Sequence, residues 1–121
     1  MSAVVLDHWA LLHWTLCPER LTSSQVQALE QAQRILVCSV LCWQMQQQIE
    51  AGTLHLGVPL EEYWRRLARV ERVEIVDPQP RHWLEARRAP AWMSSEDRLV
   101  VALARLEGCA LLSPRNEVAT P

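Results

Sequence analysis

Ser94-Ser95-Glu96-Asp97-Arg98-Leu99-Val100-Val101-Ala102-Leu103-Ala104-Arg105-Leu106-Glu107-Gly108-Cys109-Ala110-Leu111-Leu112 is the stretch that decides the fold. It reads as a helix that halts at a glycine and passes directly into a short apolar strand. Ser95 is placed to cap the helix. Glu96 and Asp97 fall in its first turn, where unpaired amide N–H groups favour negative charge. Leu99, Val100, Val101, Leu103 and Leu106 mark it as the most buried helix of the chain. Gly108 suits the left-handed residue that ends a helix. The run 109–112 is too short for a helix and reads as a strand covered on both faces. A helix leading into a fully buried strand is the repeating unit of a parallel sheet.

The same alternation extends outward. Val73-Glu74-Ile75-Val76 reads as a strand, broken by Asp77-Pro78-Gln79-Pro80, with a helix over 81–88 and a loop over 89–95. Gly57-Val58-Pro59-Leu60-Glu61-Glu62 opens a helix that runs to 70, with proline and acids where a helix start accepts them. Ile35-Leu36-Val37-Cys38 reads as a buried strand and 39–51 as a helix ended by Gly52. Residues 3–6 form a buried strand closed by Asp7, and 8–16 a helix apolar on most sides. Cys17-Pro18-Glu19-Arg20 breaks it. Thr22, Ser23 and Ser24 offer caps for a polar helix over 24–33, and 113–121 reads as a tail. The pattern specifies an α/β domain with a parallel sheet of four to five strands. In such sheets the site lies beyond the carboxyl ends of the strands. That directs attention to Asp7, to 39–44 and to 113–116.

Composition bounds the function. The chain has 121 residues, about half of them apolar, which suits one domain with one core. The net charge of -2 excludes a generic polycationic nucleic-acid coat, and the apolar content excludes disorder. Neither excludes a nuclease that holds metal through acids. All 12 bases are Arg, and of the 14 acids only Asp7, Asp77 and Asp97 are Asp. No apolar run is long enough to cross a membrane. The start, MSAVVLDHW, has no basic region ahead of an apolar stretch, so a cytoplasmic protein with reduced thiols is expected. The four cysteines lack CxxC spacing. Cys38 and Cys42, with His8 and His13 nearby, match no zinc pattern and read as small buried hydrophobes.

Six segments, in order, resemble the PIN-domain family, specifically the VapC-type toxins of type II toxin–antitoxin systems. Val4-Val5-Leu6-Asp7-His8-Trp9-Ala10-Leu11-Leu12-His13-Trp14 resembles the family's "LLDTHALLWW", and Cys38-Ser39-Val40-Leu41-Cys42-Trp43-Gln44-Met45 its "SAxSLWEI". Leu54-His55-Leu56 with Pro59-Leu60-Glu61-Glu62 resembles "GKLRLPxPLEE", and Val73-Glu74-Ile75-Val76 resembles "IEVLPL". Ser94–Ala102 resembles "DPxDRLIVA", and Glu107–Arg115 resembles "EGxxLLTRD". The resemblance spans nearly the whole chain. It implies a single three-layer α/β/α domain over residues 1–121 and an endoribonuclease that uses Mg²⁺ or Mn²⁺ held by clustered carboxylates.

Carried over residue by residue, the resemblance makes Asp7 and Asp97 the first and third family acids, catalytic and metal-binding. Gln44 stands where the second acid is expected and is a candidate catalytic residue that offers a carbonyl oxygen without charge. The fourth acid falls on Arg115, or on Asn116 if the loop has slipped by one, and a further upstream acid has become Ser94. Two carboxylates without a counter-ion raise each other's pKa, which a metal or a guanidinium relieves. Arg115 is therefore a candidate to occupy the metal's electrostatic place, pairing with Asp7 or Asp97. Activity is then weak or lost, and the alternative is an inert PIN domain that binds protein or RNA.

Each residue also has a plainer reading. Asp7 can cap the following helix, Asp97 can satisfy a helix dipole, and Gln44 can be part of a polar helix face. Arg65, Arg66 and Arg69 are candidate RNA contacts, or a solvated face offset by neighbouring glutamates. Trp9, Trp14 and Trp43 read as core. Trp83 and Trp92, near the loop before Asp97, read as packing in preference to base stacking. The resemblance further implies RNA as substrate, an antitoxin protein gripped near 39–51 and 59–70, a homodimer and no membrane.

Overall fold

The computed structural model describes residues 2–114 and, for 116–119, the backbone. Strands β1 (Ala3–Leu6), β2 (Arg34–Cys38), β3 (Val73–Val76), β4 (Ala110–Ser113) and β5 (Asn116–Ala119) form one sheet in the order β3-β2-β1-β4-β5. The first four run parallel, with Val5 opposite Leu36 and Leu111, and Leu36 opposite Glu74. Helices α1 (His8–Leu16), α2 (Ser23–Gln31), α3 (Val40–Glu50), α4 (Leu60–Leu67), α5 (Pro80–Ala86) and α6 (Ser95–Glu107) connect them, with a 3-10 turn at Pro18–Arg20.

The central strands show why the layers number three. Consecutive strand residues point to opposite faces. Val4, Val5 and Leu6 are nonetheless all buried, as are Ile35, Leu36, Val37 and Cys38. Both faces are therefore covered by helices, as parallel sheets require. Leu11, Leu41, Met45, Leu99 and Leu103 close the core against them, each fully buried. None of the helices formed by the described residues is long and apolar enough to cross a membrane.

Local signals explain the boundaries. Thr22 and Gln25 form a reciprocal capping box at the start of α2. Gly108 ends α6 at φ 64°. Helix α6 is capped by Ser94, not Ser95: its side chain accepts from the Asp97 N–H at 3.1 Å, and Ser95 is already helical. Two adjacent serines offer the same acceptor, and only the backbone turn chooses between them. Helix α4 stops at Leu67, short of the expected 70, which leaves Arg69 beyond its end. The expected tail contains β5, which pairs antiparallel with β4 through Ser113–Asn116 and Leu111–Ala119. Its residues lack an apolar alternation, and the open edge of β4 supplies the pairing instead.

The tryptophans depart further from expectation. Trp14 packs against the core, but Trp9 is 42% exposed, Trp43 58%, Trp83 46% and Trp92 78%. In α1 the apolar stripe is completed by Ala10, Leu11 and Leu12, which turns Trp9 outward.

Candidate functional site

The strand order reverses between β1 and β4: the chain builds β1, β2 and β3 outward on one side, then returns to add β4 on the other. At such a switch point the loops diverge and leave a crevice at the carboxyl ends of the strands. Here the crevice is a cavity of about 210 Å³ lined by Asp7, His8 and Trp9 after β1, Trp92, Met93 and Asp97 at the start of α6, and Ser113 at the end of β4. The Asp7 N–H bonds the Leu112 carbonyl at 3.2 Å, which continues the β1–β4 ladder to the cavity's edge.

Asp7 has two functions in one carboxylate. As N-cap of α1 its Oδ1 accepts from the Ala10 N–H at 2.7 Å. It also accepts from the Ser113 side chain, so that β4 holds the acid that ends β1. Ser113 is itself fixed from outside the cavity, because Gln25 Nε2 donates to its carbonyl oxygen at 3.0 Å. Burial pushes the Asp7 pKa above its ordinary value of 3.8. The Ala10 N–H, the Ser113 hydroxyl and the adjacent His8 oppose that, and the Asp97 charge adds to it. Asp97 is half-buried in the first turn of α6, and its carboxylate makes no hydrogen bond among the described residues.

A raised carboxylate pKa contributes stability that is present below the ordinary value and lost as pH rises through the folded value. Ionised Asp7 is therefore a drag on the fold at neutral pH. Asn caps helices as well as Asp does. Asp7→Asn is expected to raise the melting temperature at pH 7, with the gain shrinking as the pH falls below the ordinary carboxylate range. Melting curves across that pH series check it, and a variant destabilised at pH 7 contradicts it.

The other expected site residues are placed as follows. Gln44 does not line the cavity; it lies half-buried on α3, and its Oε1 is buried without a hydrogen-bond partner among the described residues. Ser94 is the cap of α6, which accounts for a serine there without chemistry. Arg115 lies outside the described residues, as does the side chain of Asn116. Arg65 and Arg66 both pair with Glu62, the latter at 2.7 Å, and none of Arg65, Arg66 and Arg69 lines the cavity. His8, Ser113 and Trp92 are cavity residues that sequence reasoning did not assign to the site. Only Ser113 was signalled there, by its place at a strand's carboxyl end.

Among the described residues no three His, Cys, Asp or Glu side chains gather as a metal cage. Mg²⁺ retains most of its waters and needs only one or two protein carboxylates. Of the described residues, the Asp7–Asp97 pair could therefore hold one hydrated divalent cation and offers too few carboxylates for a two-metal centre.

A second groove, about 390 Å³ and largely apolar, lies between the end of α1 and α4, lined by Trp14, Leu56, Val58, Tyr63, Leu67 and Val70, among others. The Tyr63 hydroxyl meets Thr15 Oγ1 at 2.8 Å across its floor, and burial pushes the Tyr63 pKa up to about 12.

Comparison with known proteins agrees with this architecture. The family model described as PIN domain matches residues 4–118. Ribonuclease VapC22 of Mycobacterium tuberculosis (strain ATCC 25618 / H37Rv) is 27% identical over 115 residues, covering 93% of this chain and 87% of that protein.

Proposed function

The chain belongs to the PIN-domain family, and on that premise we propose that it is a VapC-like endoribonuclease with a weakened metal site. One observation carries the proposal: Asp7 and Asp97, far apart in sequence, line a single cavity at the switch point of the sheet. The similarity to a protein named a ribonuclease supports RNA as the substrate.

Asp7 and Asp97 would hold one Mg²⁺ or Mn²⁺ ion. When bound, the ion supplies charge that stabilises phosphoryl oxygens and acidifies water. The chain's own residues do the rest. The Ala10 N–H and the Ser113 side chain fix the Asp7 carboxylate in one orientation. Helix α6 presents Asp97 from its first turn, with its amide N–H already used by Ser94. Affinity for a hard cation follows the number of charged ligands. With Gln44 and Arg115 where the family places acids, binding is weak and turnover slow. The test is cleavage of single-stranded RNA by the whole chain. Cleavage is expected with Mn²⁺ and none with EDTA, and Mn²⁺ is expected to raise the melting temperature. Cleavage that persists in EDTA, or no cleavage at any Mn²⁺ concentration, refutes the proposal.

A second reading is an inert PIN domain acting as a binding module. The apolar groove between α1 and α4 favours it, since it suits an antitoxin-type peptide and needs no metal. Trp43, exposed on α3, similarly suits contact with a second copy in a homodimer.

A further inference from the structure

We propose that Trp92 is a stacking platform for an unpaired RNA base beside the Asp7–Asp97 cavity, whose lining it shares with Trp9. The assignment rests on that cavity being the site of RNA phosphate, as proposed above.

Trp92 is the most exposed large apolar side chain of the described residues, at 78%, and it lines the cavity together with Trp9 and Met93. Trp43 and Trp83 are also exposed, but neither lines it. An indole 78% exposed at the rim of a cavity that holds two carboxylates buries little of its surface in the free protein. Its position is nevertheless fixed. Ala89 is buried and its N–H bonds the Ala86 carbonyl at 3.1 Å, the Met93 N–H bonds the Pro90 carbonyl at 3.2 Å, and Ser94 then caps α6. Arg98 Nε donates to the Ala86 carbonyl at 3.2 Å and ties the first turn of α6 to the base of this loop. Trp92 is thus presented on an anchored turn, and little ordering is needed for it to receive a ligand.

Charge argues for a nucleic acid. Two carboxylates alone repel a phosphate chain. The loop that carries Trp92 begins with Arg87 and Arg88, which are exposed and do not line the cavity; Arg87 Nε donates to the Leu84 carbonyl at 3.1 Å, and Arg88 is only loosely engaged by Glu85 at 3.7 Å. Arginine that attracts phosphate, combined with an aromatic face, is the combination that binds single strands without reading sequence. Only an unpaired base can stack on an indole, because in a duplex its faces are occupied by neighbours.

The test uses the whole chain in EDTA, where binding is read without cleavage. The probes are a labelled single-stranded RNA oligonucleotide and its duplex, followed by fluorescence anisotropy. Wild type is expected to prefer the single strand. Trp92→Ala is expected to weaken it about tenfold, the loss of one stacked base. Trp92→Phe is expected to retain most of the affinity, and Trp83→Ala all of it. Melting temperatures should match, since each of these side chains is substantially exposed. The proposal is overturned if Trp92→Ala binds like wild type, if Trp83→Ala is equally impaired, if the duplex is preferred, or if wild type binds neither RNA. That last result leaves the exposed loop to a protein partner. Trp92-dependent binding without any Mn²⁺-supported cleavage refutes the ribonuclease and leaves the platform standing. Cleavage with Trp92-independent binding does the reverse.

Discussion

Asp97→Asn is expected to lower Mn²⁺-supported RNA cleavage by about a hundredfold while leaving the protein folded. Removing a partner that merely orients a metal ligand costs ten- to a hundredfold. Asp97 is one of two carboxylates that line the cavity among the described residues, so its loss belongs at the upper end of that range or beyond. The fold is insulated from the change. Ser94 bonds the Asp97 backbone N–H, not its side chain, and the Asp97 carboxylate has no hydrogen bond to a described residue. What is lost locally is the attraction between the carboxylate and the helix N-terminus, about 0.3–1 kcal/mol. Initial rates beside thermal unfolding separate the two effects. An Asn variant that cleaves as fast as wild type removes Asp97 from the chemistry and leaves it as a helix-start acid.

The second large effect is a gain. On the proposed reading that positions 44 and 115 answer to the family's acids, Gln44→Glu combined with Arg115→Asp is expected to raise Mn²⁺ affinity at least about tenfold, because a neutral group and a cation become two anions. Gln44 does not line the cavity, so its share of the gain requires its side chain to turn toward it. Titration calorimetry reads it directly. A readout independent of affinity accompanies it. Gln44 Oε1 is buried without a partner, so a carboxylate there is desolvated and strongly favours protonation. The double variant should therefore melt below wild type in EDTA, and recovery on adding Mn²⁺ would show that the side chain at 44 reaches the ion. The single variant Arg115→Asp tests whether Arg115 stands in the metal's electrostatic place. If it does, that change alone strengthens Mn²⁺ binding. Tight Mn²⁺ binding by the wild type that disappears in Asp7→Asn would instead show that no guanidinium substitutes for the ion.

What could be read from the sequence follows from how local each signal is. The 8–16 helix and the 73–76 strand have their observed limits, and the last helix its end at Glu107, because proline, glycine and capping residues mark them within a turn; the cap of the last helix lies one residue earlier than the serine assigned to it. The cavity acids were legible for a related reason. Asp7 ends a strand and Asp97 opens a helix, so their positions follow from element boundaries. Properties that depend on distant chain segments were not legible. Trp92 looks like core by composition, and only the packing of Ala89 and the turn at Pro90 leave it outside. Strand β5 has no pattern of its own and exists because β4 offers an edge. Gln44 follows the expected strand, yet it does not line the cavity. A motif carries the order of residues along the chain and not the direction of their side chains.

The double use of Asp7 has a consequence for how such a protein would age. Its Oδ1 caps α1 whether or not any RNA is ever cut. A lineage that abandoned hydrolysis would still be under pressure to keep Asp or Asn there, since an uncapped α1 costs about 1 kcal/mol. An aspartate surviving at this position is therefore poor testimony that the chemistry survives. Asp97 has no comparable second function, because its carboxylate could go with little harm to the helix. It is the residue whose drift or persistence among descendants would record when the enzyme became a scaffold.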